Sequence, residues 1–358
     1  MFVYIHVPFC SSICSYCDFP KVLYDKKYID KYLDRLDEEI DARYKGEKVK
    51  SIFIGGGTPT SLSYQELERL LKLKDKLCLD SDIEFTIESN VECLDEEKIK
   101  LLKRYGVNRV SLGVQSFNDK VLKDLNRHHT GADVFRVVDC LKKNGIFSIS
   151  IDLIYGVNDD IDIVRDDIDN FLRLDIPHVS CYSLIIENNT LYGINNREYI
   201  DDDIEYKMYT FISNTLEEHG YKHYEVSNYA KEGYYSLHNI NYWDNGEYYG
   251  FGMGAVSYIN SNRISNTRNL SKYLKGDMVD SIIYEDKETS MSNSIILGLR
   301  KVKGIDVLDF NLRYGVDIIN LYNIRELIDE GKLVYKNGYL YIATDYYYVA
   351  NDILVNFV

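Results

Sequence analysis

Apolar positions along the first half of the chain switch repeatedly between two periods. Phe2 to His6 is a short apolar run that reads as a buried strand. Lys27 to Tyr44 then sets Ile29, Leu33, Leu36 and Ile40 three or four residues apart, the spacing of one helical face. The alternation continues with a strand over Ser51 to Ile54 and a helix over Ser63 to Leu77. Ser63 with Glu66 three residues on forms a capping box for that helix. Ile83 to Glu88, Arg109 to Gly113, Ser148 to Ile154 and His178 to Leu184 read as further strands. Asp95 to Tyr105, Ala132 to Asn144 and Ile161 to Leu174 read as helices, the first two stopped by Gly106 and Gly145. Strands alternating with helices specify a parallel sheet with helical crossovers. Six such units are too few to close an eight-stranded barrel. The expected fold class is therefore α/β, a partial (βα)6 barrel.

Beyond Leu184 the pattern changes. Asp203 to Gly220 has helical spacing and Tyr224 to Asn228 resembles a short strand. A glycine- and aromatic-rich stretch follows, containing His238-Asn239-Ile240-Asn241-Tyr242-Trp243 and Tyr248 to Ser257. From about Glu285 a smaller unit begins, with helices near Ser292 to Arg300, Val307 to Tyr314 and Ile318 to Gly331. Two strands, Lys332 to Lys336 and Tyr339 to Thr344, meet at Asn337-Gly338, a hairpin signal, and a last helix covers Tyr346 to Phe357. This reads as a small C-terminal winged-helix-like α+β domain. The expected division is 1–190 for the partial barrel, 191–284 for an extension of it, and 285–358 for the C-terminal domain.

Composition narrows the classes. The net charge of −15 argues against a nucleic-acid footprint, which needs clustered Lys and Arg. No apolar run approaches the length of a membrane helix. Seven cysteines are an odd, low count for a disulfide framework, and no secretory signal precedes them. A cytoplasmic protein with reduced thiols is the expectation.

Three of those cysteines carry the chemistry. Cys10, Cys14 and Cys17 lie in VPFCSSICSYCDF, directly after the first strand. Three thiolates so close can reach one soft metal centre. An iron–sulfur cube accepts four ligands, so three would leave one iron open to a small molecule. A zinc site of the same cysteines with His6 is the alternative metal reading. Other polar residues fall at the carboxyl ends of the strands, where parallel α/β folds gather function. Gly55-Gly56-Gly57-Thr58-Pro59 follows the second strand, Glu88 ends the third, Gln115 follows the fourth and Asp152 lies on the fifth. Arg127, in LNRHHT, suits a carboxylate. Each could be a satisfied structural group; together on one rim they read as a site.

The cysteine spacing, with Tyr16 before the third cysteine, resembles the radical S-adenosylmethionine (SAM) family. HVPFCSSICSYCDF, GGGTPTSL, RVSLGVQSF, DLIYG and LGLRKVKGID further resemble its branch of oxygen-independent coproporphyrinogen III oxidases and HemW-type heme chaperones. The resemblance implies a [4Fe–4S] cluster on Cys10, Cys14 and Cys17. It implies SAM contacts from Tyr4, Tyr16, Gly55, Gly56, Gly57, Thr58, Glu88, Gln115, Arg127 and Asp152. His238, Asn239, Tyr242 and Trp243 match an HNxxYW motif associated with heme binding in the HemW-type branch; the other reading is that His238 and Asn239 brace a turn while Tyr242 and Trp243 pack against the barrel. Two features favour that branch. Phe19 stands where the oxidase has a further cysteine, and Cys10 leaves no room for the oxidase's N-terminal extension. One departs from it: Val256 precedes Ser257 where many relatives have His. The implied function is binding heme and passing it to acceptor proteins. Implied partners are heme, those acceptors and an electron donor such as flavodoxin or ferredoxin, with a homodimer allowed. Oxidative decarboxylation of coproporphyrinogen III is the alternative function.

Overall fold

The computed structural model describes residues 1–358. Its centre is the strand series read from the alternation. β1 (Phe2–Val7), β2 (Val49–Gly56), β3 (Leu79–Asn90), β4 (Arg109–Gln115), β5 (Ser148–Tyr155) and β6 (His178–Ser183) pair in parallel, in chain order. The crossovers carry α1 (Lys26–Arg43), α2 (Tyr64–Lys72), α3 (Glu96–Arg104), α4 (Gly131–Lys143) and α5 (Ile161–Leu174). Ser63 and Glu66 do form a capping box on α2, and Thr130 with Asp133 forms a second on α4. Of the long helix expected to Leu77, α2 ends at Lys72 and Leu73–Lys76 tighten into a 3₁₀ turn.

Side chains alternate across each strand. Val3, Ile5, Ile52, Ile54, Phe85, Ile87, Val110, Leu112, Ile149 and Ile151 pack outward under the helices, in a core of 55 buried residues. From α1, Ile29, Leu33, Leu36 and Ile40 seal it, each at most 1% exposed. Burying one such side chain contributes about 1.5–3 kcal/mol. Leu36→Ala would cost about 2–5 kcal/mol, because the cavity left behind adds to the lost transfer energy. The alternate positions, among them Tyr4, His6, Glu88, Arg109, Ser111, Asp152 and His178, are polar or aromatic and line the barrel's interior.

The sheet does not stop at six strands. β7 (Lys222–Glu225) and β8 (Asn228–Ala230) form a hairpin whose second strand pairs antiparallel with β6. β9 (Tyr248–Phe251) adds in parallel beside β1. β10 (Val256–Ile259), β11 (Asn262–Asn266) and β12 (Val279–Tyr284) continue antiparallel from it. The twelve-stranded order is β12-β11-β10-β9-β1-β2-β3-β4-β5-β6-β8-β7. The glycine- and aromatic-rich stretch thus supplies strands that its composition did not announce. Gly250 is required there: a Cβ on it would lie 2.0 Å from the Val256 carbonyl oxygen. α6 (Asp202–Glu218) packs against α5, and the HNxxYW residues lie on α7 (Leu237–Trp243).

A second core of 17 buried residues, from Ile295 to Phe357, belongs to the C-terminal unit. It begins with α8 (Lys287–Gly298) and holds a sheet of β13 (Ile305–Asp306), β14 (Leu333–Lys336) and β15 (Tyr339–Ile342) in the order β13-β15-β14. The hairpin turns at Asn337 (φ +53°) and Gly338 (φ +82°), the left-handed pair its sequence signals. Two expected helices are broken. Ile318 to Gly331 divides into Ile318–Asn320 and Ile324–Asp329 around Tyr322, whose φ is +48°. The terminal helix shrinks to Ala350–Leu354 between two 3₁₀ turns. No helix is long and apolar enough to cross a membrane.

Candidate functional site

The cysteine loop leaves β1 at the rim and is held by distant parts of the chain. Phe9–Cys10 pairs with Val22–Leu23 at the loop's base. Ser15 N donates to Leu125 O (3.2 Å), Tyr192 N to Ser15 O (3.0 Å) and the Asn126 amide to Ile13 O (2.6 Å). Cys10, Cys14 and Cys17 so open into one cavity of about 750 Å³. Tyr16, Gly56, Gly57, Thr58, Glu88, Gln115, Arg127 and Asp152 line the same cavity. Two expected residues do not reach it. Tyr4 lies deeper, its hydroxyl on His6 Nδ1 (3.0 Å). Gly55 sits beneath the Glu88 carboxylate, where a Cβ would fall 2.7 Å from Oε2. Gly56 has φ +114°, and a Cβ there would lie 2.5 Å from the His6 ring. The turn is glycine because carboxylate and imidazole press against it.

The cavity gathers groups whose charge states are costly to bury. Glu88 accepts from Gly56 N (2.9 Å), yet burial pushes it up to about 7. Burial also raises Asp152, against hydrogen bonds from Ser180 and Ser111. Neither carboxylate has an ion-pair partner within the protein. Arg109, buried in the strand below, acts on both only through its field. Arg127 is 7% exposed; it donates to Asn90 Oδ1 (2.9 Å), Gly113 O (2.6 Å) and Cys14 Sγ (3.6 Å), while its Nε finds no partner. Thr58 Oγ1 points at Cys10 Sγ (3.8 Å), and burial pushes that thiol up to about 12. The Cys17 thiol is raised for the same reason. Thiols in such surroundings ionise only beside a strong positive charge, which an iron centre supplies. Unpaired carboxylates facing the same space suit an ammonium and hydroxyl groups. This donor set fits a cube held by three thiolates with SAM beside it.

It does not fit zinc. His6, the fourth ligand of that alternative, has both ring nitrogens engaged, by Tyr4 OH and by Pro20 O (2.8 Å). Its burial drives it down to about 4. All seven cysteines are free.

The HNxxYW residues lie outside this cavity, at the opposite end of the barrel. His238 is 1% exposed, with Nδ1 at Ser51 Oγ (3.0 Å) and Nε2 at Tyr242 OH (2.9 Å). Phe2, Tyr4 and Phe53 surround its ring, and burial drives it down to about 3. Both nitrogens of this imidazole are engaged by hydroxyl groups of the protein. The Glu84 carboxylate caps the helix, accepting from Leu237 N (2.9 Å) and His238 N (3.1 Å). Asn239 and Trp243 face the buried Glu225, and Arg300 of the C-terminal unit lies over the Trp243 ring at 5.9 Å. The motif closes the barrel's floor and joins it to the C-terminal unit. Ser51, near the start of β2, and Gly56, its last residue, are roughly 16 Å apart at about 3.3 Å per residue.

Other residues of the site carried no signal of their own. Asn90, Ser111 and Tyr182 line the cavity. Strand parity with Glu88, Gln115 and Asp152 was the available clue to Asn90 and Ser111. His129 supports the rim through Nε2 on Val114 O (3.1 Å), with Nδ1 3.4 Å from Glu92.

Comparisons with known proteins give the family and the fold. Residues 4–168 match the family model of the radical SAM superfamily, and residues 286–342 match that of the HemN C-terminal domain. The chain is 42% identical to the heme chaperone HemW of Lactococcus lactis, over 96% of this chain and 93% of that protein. It is 35% identical to the heme chaperone HemW of Bacillus subtilis, over 98% and 97%. Among solved structures, coproporphyrinogen III oxidase (HemN) from Escherichia coli, a radical SAM enzyme, superposes with a TM-score of 0.87. It covers 99% of this chain and 89% of the other at 20% identity, a likeness of fold.

Proposed function

The chain belongs to the HemW family within the radical SAM superfamily, and from that premise we propose that it binds a [4Fe–4S] cluster and SAM, takes heme as cargo and passes it to acceptor proteins. The observation that carries the first part is the convergence of three thiols, two unpaired carboxylates and a glycine turn on one cavity. The near full-length likeness to heme chaperones supports the second.

Each residue has a defined task in this reading. Cys10, Cys14 and Cys17 hold the cluster. Glu88 and Asp152 accept from the ammonium and hydroxyl groups of SAM, Gln115 offers an amide, and Gly56, Gly57 and Thr58 bring backbone close. Tyr16 walls the cavity beside the cysteines. Arg127 stays on Cys14 and ties the cluster loop to β4. Tyr4 and Gly55 act from behind, through His6 and Glu88. When bound, cluster and SAM supply one-electron cleavage of a sulfonium. An electron donor such as flavodoxin or ferredoxin is part of the reading, as is a cytoplasmic setting.

Titrating heme into purified, cluster-loaded protein and then adding an apo-hemoprotein tests it. A Soret shift that moves to the acceptor is expected. Formation of vinyl product from coproporphyrinogen III, SAM and a reductant, without heme transfer, would replace it with the oxidase reading.

A further inference from the structure

Gln115 has an unusual backbone for a residue ending a strand: φ is +70°. The pairing of β4 with β5 slips by one residue there, between Gly113 and Gln115, so Val114 is bulged out. A left-handed conformation at a residue with a Cβ costs about 1–3 kcal/mol and persists only if its surroundings impose it. The bulge is what brings the side chain into the cavity. It folds over Gly113, where a Cβ would lie 2.9 Å from Gln115 Nε2.

Two sets of bonds impose this shape. On the carbonyl side, Arg127 and His129 hold Gly113 O (2.6 Å) and Val114 O (3.1 Å). On the amide side everything converges on one carboxylate, Asp167 of α5. It is 6% exposed and accepts from Phe117 N (2.6 Å) and from Ser116 Oγ (2.8 and 3.0 Å). Ser116 Oγ in turn accepts from Asn118 N (3.0 Å). Asp167 has no cationic partner, and α5 would not need a buried acid on its inner face for packing alone.

We propose that Asp167 is a positioning residue for SAM: it clamps the turn after β4 and so keeps the Gln115 amide in the cavity. The proposal rests on the SAM-binding reading and adds to it a residue that touches neither SAM nor the cluster. Asn, with the same shape and an acceptor oxygen, should serve in its place. Ala should not.

The test is SAM affinity of the cluster-loaded protein, with hydrogen exchange of residues 110–118 in the ligand-free protein beside it. Asp167→Ala is expected to weaken SAM about tenfold and to raise exchange in that segment, with iron content unchanged. Asp167→Asn should stay within about threefold of the parent. The double variant Asp167→Ala/Gln115→Ala should bind SAM no more weakly than Gln115→Ala alone, since the clamp acts through that amide. If Asp167→Ala does not fold, Ser116→Ala carries the same test with an expected loss of about threefold. Parental SAM affinity in the clamp variants, or losses that multiply with Gln115→Ala, would overturn the proposal. Failure of the parent protein to bind SAM would overturn the SAM reading instead, while the exchange result still reports on the clamp.

Discussion

The histidines at the floor of the barrel's interior and the carboxylates at its rim are held in opposite conditions, while Trp243 Nε1 at the floor also finds no partner. At the floor, His238 is saturated by Ser51 and Tyr242, and His178 by Ser150 (2.7 Å) and Tyr224 (2.8 Å). At the rim, Glu88 and Asp152 have no ion pair, Arg127 Nε has no partner, and buried thiols sit beside them. A satisfied buried network stabilises and specifies a fold; an unsatisfied one is an expense that a ligand relieves. The contrast separates two motifs that both look functional in the sequence. The cysteine rim is built to receive something, and the HNxxYW floor is built to hold the molecule together.

The largest effect that can break this contrast is at the rim. Replacing Cys10, Cys14 or Cys17 with Ala should reduce iron in anaerobically reconstituted protein from about four per chain to nearly none, while the thermal midpoint of the apo form barely moves. His238→Ala should do the reverse. It should cost about 3 kcal/mol in denaturant unfolding, from a lost buried ring and two hydrogen bonds, with iron and SAM affinity retained. Loss of iron in that variant would mean that floor and rim are not separate.

The pH dependence sets the raised rim carboxylate against the lowered imidazoles, because the two slope in opposite directions. Glu88, raised from 4.5 to about 7, stabilises the ligand-free fold fully below about 4.5, and that contribution is lost as pH rises through 7. His6 and His238, lowered from 6.5 to about 4 and about 3, contribute above 6.5 and lose that contribution as pH falls toward those values. Unfolding free energy of the ligand-free protein should therefore fall on both sides of mildly acidic pH. Glu88→Gln should lessen the fall on the alkaline side alone, where Asp167, also raised to about 7, keeps part of it. The smallest effect expected is Ser51→Ala, about 1 kcal/mol, from the bond to His238 Nδ1.

Much of the rim was legible in the residues. Strands of period two and helices of period near 3.6 fix β1 to β6, and their carboxyl ends bring Glu88, Gln115 and Asp152 to the side where the cysteine loop emerges. The strands from β9 to β12 were not legible. β9 is held by pairing with β1, more than two hundred residues earlier in the chain, and its glycines and aromatics have no alternation of their own. Asp167 was equally hidden, and His129 stood out only as one of two histidines after Arg127, with a packing role. His129 bonds to the carbonyl of the bulged Val114 and Asp167 to the turn just beyond it, and a bulge leaves no trace in hydrophobic patterning. His238 was legible as a special residue, but its burial depends on Ser51 and Phe53 on β2, so its direction was not.

The central claim is that the rim offers a cluster with one iron open to SAM. Electron paramagnetic resonance of the reduced, reconstituted protein, recorded with and without SAM, tests it most directly. The account predicts a [4Fe–4S] signal whose g values shift when SAM is added. A signal indifferent to saturating SAM would contradict it.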